Sequence, residues 1–329
     1  DVLGSRGLGD VYKRQMLFSI LILMVNQFVT NSRRSFTTVT GKSSQVSLVK
    51  LGKVGKPIIT TIVVFYAAFF AIIPLISFAL ESFLEVSGDY STFTLYYWIT
   101  SEQTNAYITG SVGIFRNKEI WRAFGNSLLI SIICALIAGT FGILVGYGVA
   151  KKRGSRLANY VSNLAFLPYL IPAMSFATIY LIMSYTKALS FLNGSLLLLI
   201  VVGSIKFLPF ASKSGTNAML QLSNEIEEAA IIVGVPWWKR MVRVLFPIQK
   251  SSFISGYLLP FVSCMRELTL FVLLTGSSTI LTAVLQNYEK YDCVQISNGI
   301  NLIIIVSVLV INLVVNKLTG ASIDKGVGG

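Results

Sequence analysis

Histidine is absent from this chain of 329 residues, and cysteine is nearly so: Cys134, Cys264 and Cys293, with no CxxC pair. The first absence removes the commonest metal ligand and the commonest general base at neutral pH. The second argues against a disulfide framework or a zinc site, since two of the three thiols lie inside apolar runs. Metalloenzyme and histidine-dependent hydrolase chemistry are left without their residues. Charge is scarce too. Asp, Glu, Lys and Arg make up 12% of the chain and hydrophobic residues 54%, whereas soluble domains carry about 25% charged residues. That excludes a water-facing surface of normal size and makes this an integral membrane protein. A phosphate-binding loop, GxxxxGK[ST], is also missing. The only approach to it is Gly41-Lys42-Ser43, and the position that should hold the earlier glycine is Phe36.

What the chain does have is apolar runs separated by basic clusters. The net charge is +13, but no basic patch interleaves with aromatics, so the charge is read as setting membrane orientation and not as a nucleic-acid footprint. About 20 apolar residues at a 1.5 Å rise cover a hydrocarbon layer of about 30 Å. Seven stretches meet or approach that length: Met16 to Thr30, Ile58 to Leu80, Phe124 to Ala150, Asn159 to Tyr185, Ser190 to Phe210, Phe253 to Leu274 and Ser297 to Asn316. Loops 31–56, 151–156 and 211–250 are rich in Lys and Arg and are expected in the cytoplasm. The stretch 81–123 and the loop with Glu289 and Asp292 are expected outside. The spans then alternate without contradiction and end with a cytoplasmic C-terminus.

Asp1 to Gln15 is glycine-rich and polar, and Asp10-Val11-Tyr12-Lys13-Arg14-Gln15 resembles the translation of a sequencing-library adapter. Residues 1–15 are therefore expected to be non-native, the alternative being a genuine flexible N-terminus.

The longest basic loop, 211–250, is too polar to insert and too patterned for a linker. Met219, Leu222, Ile226, Ala229 and Val233 recur at helical spacing, with Gln221, Asn224, Glu225, Glu227 and Glu228 between them. Gly234 is expected to stop that helix, Pro236 to begin a second one, and Pro247 to end it. The result is a compact knob of two helices around a glycine turn. Without further information, an amphipathic helix resting on the inner leaflet through Trp237 and Trp238 fits as well.

The spelling of the knob separates the two. Glu228-Ala229-Ala230, three residues, Gly234, nine residues, then Val244-Leu245-Phe246-Pro247 resembles the Glu-Ala-Ala loop of binding-protein-dependent ABC importer permeases. The family pattern has Ile and Leu where this chain has Val244 and Phe246, both apolar exchanges. The resemblance extends over about residues 57–320. It implies an all-α, six-span permease core of the methionine-importer type, preceded by one leftover span at 16–30 and the basic linker 31–56, with a tail at 321–329. It also implies a multi-pass protein of the bacterial plasma membrane, without catalysis or cofactor. Its partners would be a separate ATP-binding cassette ATPase, an extracytoplasmic substrate-binding protein, and a second permease half or copy in the lipid bilayer. In that family the loop docks into the ATPase. Gly234 would allow the tight turn, Glu228 would pair with a basic residue, and Ala229 and Ala230 would allow close approach.

Other residues join the same picture. Asn126-Ser127 resembles the polar pair near the start of the family's core, and Asn126 is a candidate residue of the translocation path. Pro168 and Pro172 break the hydrogen-bond ladder of the fourth span, either as a packing kink or as a bend lining the pore. Arg266 and Glu267 lie inside the sixth span, where charge is costly; either one lines or gates the path, or both serve an interhelical ion pair or snorkel to the surface. Arg266-Glu267-Leu268-Thr269 through Leu274, with Ser278-Thr279, resembles iron(III)-type permeases, and Thr38-Val39-Thr40-Gly41-Lys42 resembles the linker between their two halves. The cargo expected on that resemblance is iron(III), with thiamine, polyamine or phosphonate as alternatives. An ion-driven secondary transporter is the competing class, and it would want intramembrane acids and repeated broken spans.

Overall fold

The computed structural model describes residues 52–275 and 279–321, preceded by Leu17, Phe18, Leu21 and Val25 as helical positions. The expectations for residues 1–15, for the rest of the leading span, for the linker up to residue 51, for Ser278 and for 322–329 lie outside the described residues. Among the described residues the fold is helical, with one isolated bridge between Leu84 and Phe93.

The first rod runs from α1 (Gly52–Ala67) through a π turn (Ala68–Ile72) into α2 (Ile73–Glu81). It is apolar on every side and exposed along most of its length, Phe65 and Tyr66 included. An all-round apolar helix that finds no core belongs in lipid or against another protein. A short helix, α3 (Tyr96–Ile99), follows in a cap of loops.

The longest helix, α4 (Lys118–Lys151), has 34 residues, about 51 Å at the standard rise, and so outruns the hydrocarbon layer. It starts at Asn117, whose side chain accepts hydrogen bonds from the Glu119 and Ile120 amides and donates to the Tyr288 hydroxyl at 2.7 Å. Glycines on α4 set its closest contact, with α7 (Leu196–Leu220). A Cβ at Gly142 would lie 2.5 Å from that of Ala211, and one at Gly146 would lie 2.5 Å from the Thr216 nitrogen. This is packing by small residues, in which the absence of side chains lets backbones touch.

Between them lie α5 (Arg156–Leu170) and α6 (Ala173–Ser184), which meet at 97°. The break that Pro168 and Pro172 lead one to expect in the fourth span is thus a sharp one. The sixth is broken as well, α11 (Lys250–Met265) meeting α12 (Thr269–Thr275) at 60°. Among the described residues, counting each bent pair as one span gives up to six, with Val54–Glu81, α4, α7 and α14 (Val294–Thr319) as the unbroken four.

The loop 211–250 contributes α8 (Asn224–Ile232), α9 (Trp237–Arg240) and α10 (Phe246–Ile248). On the other end, α13 (Leu281–Lys290) and Ile300 of the last helix pack with the 82–117 cap through Trp98, Ile114 and Tyr288, and Asn105 Nδ2 donates to the Tyr291 carbonyl. The loops assigned outside by charge therefore meet at one end of the bundle. Lys151 touches Asn224 and Ser251 touches Gly320, so the loops assigned inside meet at the other.

Candidate functional site

Two features stand out, one beyond the ends of the spans and one within them. The first is the knob. Its helix does not continue from the preceding span. The chain breaks at Gln221–Ser223, and the Ser223 hydroxyl restarts it by accepting from the Glu225 amide at 3.3 Å. The expected apolar stripe therefore splits: Met219 is buried on α7, whereas Ile226, Ala229 and Val233 on and after α8 are exposed. The residue that is buried is a charged one, Glu227, at 4% exposure. Tyr147 donates to its Oε1 at 2.6 Å, Lys151 lies 2.6 Å from its Oε2 and Arg240 lies 3.6 Å from its Oε1. Burial opposes ionisation of this carboxyl. The hydrogen bonds from Lys151 and Tyr147 and the charges of Lys151 and Arg240 outweigh it, holding the group below its ordinary value. Glu227 thus ties the knob to the end of α4.

The turn has a clear backbone cause. Gly234 sits at φ +78°, the Val235 amide donates to the Ala230 carbonyl, and the Gly234 amide donates to that of Ile231. That is a Schellman closure, which wants glycine at the left-handed position. Arg240 Nη1 closes the turn on the Val235 carbonyl at 2.7 Å. The second helix does not stop at Pro247 as expected. A π turn, Met241–Leu245, carries the chain through Pro247 to Ile248. Proline has no amide hydrogen to lose at this early position of α10. Glu228 and Ala229 are exposed and Ala230 is half-buried, beside Ile231, Ile232 and Val233, the last two more than three-quarters exposed.

The second feature is a cavity of about 720 Å³ where both broken spans meet α7, lined by Tyr169 to Ala173, Lys206, Phe207, Phe210, Ser263, Arg266 and Glu267. In an unbroken helix the Pro168 carbonyl would accept from the amide four residues on, but that residue is Pro172, which has none. Lys206 fills the gap, its ammonium donating to Pro168 O at 2.9 Å and Ile171 O at 2.6 Å and lying 5.2 Å from the Phe176 ring. Glu267 accepts from the Leu270 amide at 3.0 Å and so starts α12. Its own carbonyl accepts from Thr282. The sequence reading passed over Lys206; its only signal is a lone lysine inside the run 190–210.

The structure therefore brings Pro172, Arg266 and Glu267 to one cavity, with the Pro168 carbonyl behind it. It does not bring Asn126 there. Asn126 Nδ2 donates to the Thr279 carbonyl, and Ser127 accepts from the Leu281 amide, so that pair pins the chain entering α13.

Residues 138–324 match the model of the family described as binding-protein-dependent transport system inner membrane component, more than half of the chain. The chain belongs to this family. Both the knob and the cavity fall within the matched region. Among similar proteins, the ferric transport system permease FbpB of Actinobacillus pleuropneumoniae is 23% identical over 309 residues, 93% of this chain and 42% of the relative. A putative ferric permease of Haemophilus influenzae is 22% identical over 80% of this chain and 40% of the relative. The chain thus spans about two fifths of the length of these relatives. A probable sulfate permease of Prototheca wickerhamii is 26% identical over 58% of this chain and 80% of the relative. Among solved structures, a bacterial alginate ABC transporter chain aligns over 81% of this chain and 96% of its own length, with a TM-score of 0.56 at 14% identity. A chain of the MetNI methionine ABC transporter aligns over 60% and 94%, with a TM-score of 0.52 at 15% identity. These likenesses establish the all-α permease fold.

Proposed function

We propose that this chain is the membrane-spanning subunit of an ATP-driven importer for iron(III), coupled through its cytoplasmic knob to a separate ATPase and supplied by an extracytoplasmic binding protein. The observation that carries the coupling is the knob itself, an exposed surface of Glu228, Ala229, Ile231, Ile232 and Val233 held on a charged anchor at Glu227. Contiguous apolar side chains this exposed at the tip of a polar loop mark an interaction surface. The closed glycine turn fixes their geometry, and Glu228, which has no partner among the described residues, can meet a basic group. Since this chain has no phosphate loop, hydrolysis falls to the partner. The two broken spans and their cavity supply the path, with a second half or copy completing it and the C-terminus in the cytoplasm. The ferric relatives support the cargo.

The test is a cross-link from Ile232→Cys to the ATPase encoded with it. Native Cys134 and Cys264 are buried and Cys293 is at the far end, so they do not compete. A specific adduct that Glu228→Lys abolishes is expected; equal labelling of a cysteine placed on the cap, at Tyr107, would refute docking.

Broken spans and intramembrane charge also suit an ion-driven carrier. Uptake insensitive to vanadate and abolished by a protonophore would favour that reading.

A further inference from the structure

The charge inside the cavity bears on what passes through it. Two cations, Lys206 and Arg266, and one carboxylate, Glu267, face the same space, an excess of one positive charge. The groups are not equivalent. Lys206 is 8% exposed and spends two of its three donors on the carbonyls of the broken helix. Glu267 spends Oε1 on the Leu270 amide. Arg266 is exposed and has no ion-pair or hydrogen-bond partner among the described residues, leaving five donors in a planar fork free. The remaining wall is aromatic and aliphatic apart from the hydroxyls of Ser263 and Tyr169. Among the charged groups the balance is therefore toward donors: one idle guanidinium and the third ammonium hydrogen of Lys206, against a single carboxylate oxygen not otherwise engaged, with the Ser263 and Tyr169 hydroxyls able to donate or accept.

A bare trivalent metal would need several anionic oxygen ligands here and would find one carboxylate, Glu267, and one phenol, Tyr169, beside two cations. An organic polycation would meet the same repulsion. An anion with oxygens at its edge would find the guanidinium fork, which matches carboxylate and phosphate geometry. We propose that this cavity takes a cargo with a negatively charged oxygen periphery, either a free oxyanion or iron(III) already wrapped in an anionic chelate, with Arg266 as the group that engages it. The proposal rests on the permease reading; the chelate would be the form in which iron(III) passes, whereas a free oxyanion would replace iron(III) as the cargo. Lys206 holds the carbonyls of the broken helix and adds to the positive field, and Glu267 opposes it with one negative charge.

The test uses the full chain in lipid nanodiscs and equilibrium retention of labelled inorganic phosphate, sulfate, ferric citrate and spermidine. At least one of the three anions is expected to be retained, with ionic-strength dependence, and spermidine is not. Arg266→Gln is expected to weaken anion retention about 10-fold, the loss of one charge-assisted contact, with Arg266→Lys recovering part of it. Retention of phosphate or sulfate alone identifies a free oxyanion; retention of the ferric complex alone identifies the chelate. Retention of no anion, retention of spermidine in preference, or anion retention unchanged in Arg266→Gln would overturn the proposal. The permease reading fails separately, through uptake that ignores vanadate while anion retention persists.

Discussion

Glu227 and Glu228 are neighbours in sequence and opposites in structure, and the contrast can be tested with two substitutions. Glu227→Gln keeps the shape and a hydrogen bond with Tyr147 but removes the negative charge between Lys151 and Arg240. Removing one partner of a fully buried pair costs about 3–5 kcal/mol. The Lys151 side chain is 28% exposed, so water screens part of the loss, and the lower range for a hydrogen bond to a charge applies, about 2 kcal/mol. At about 1.4 kcal/mol per decade this is roughly 30-fold. Amide hydrogen exchange of α8 in nanodiscs is the assay, since local opening of the knob is what the anchor resists. The expected result is exchange roughly 30-fold faster across α8 in Glu227→Gln, with α4 unchanged at its centre. Glu228→Gln, on the exposed side, is expected to leave exchange within about 0.5 kcal/mol of the parent. Equal effects of the two substitutions, or none from Glu227→Gln, would refute the anchor.

The same carboxyl gives a pH expectation. Its value is lowered in the folded protein, so its stabilisation is complete above the ordinary carboxylate range and is lost only as pH falls through the lowered folded value. A fluorine label on Trp237, whose ring meets that of Tyr147 edge-on at 5.8 Å, is expected to report an intact knob at pH 5 and a change below the ordinary range; a midpoint above that range would contradict the assigned partners. On α4, Gly146→Val is expected to destabilise by about 1–3 kcal/mol or more through the clash with the Thr216 backbone. Gly148→Ala, where a Cβ meets nothing within 4 Å, is expected to be neutral or stabilising; thermal unfolding in detergent compares them. Lys206→Met is expected to cost about 1–3 kcal/mol by leaving the Pro168 and Ile171 carbonyls unpaired. Pro172→Ala restores an amide for Pro168 and is expected to reduce that cost; additive losses in the double variant would contradict the explanation.

Much of the architecture was legible because lipid is a strict solvent. A run such as Phe124 to Ala150 has no alternative to a buried helix, and the Lys and Arg clusters mark where the chain emerges. The knob was legible from a long spaced motif and not from periodicity, which misled. The repeat from Met219 to Val233 ignores the break at Ser223, so residues of two helices were counted on one face. The family motif pointed to Glu228, whereas the buried partner of α4 is Glu227, a distinction set by tertiary contacts from residues 76 and 80 positions away. The breaks were half legible. Two prolines four apart orphan a carbonyl, which sequence can say, but only the fold places Lys206 on it from another helix. Asn126 reads as a path residue in a linear map and is a tether in three dimensions, because its partner Thr279 arrives from 153 residues away.

The central claim, that ATP hydrolysis on a partner drives transport through this chain by way of the knob, is tested most directly by uptake of radiolabelled ferric iron into cells carrying the complete transporter, with the parent chain or Ile232→Asp. The account predicts uptake abolished by vanadate in the parent, and absent in Ile232→Asp although the chain still inserts in the membrane. Uptake of equal rate in Ile232→Asp, or uptake that survives vanadate, would contradict it.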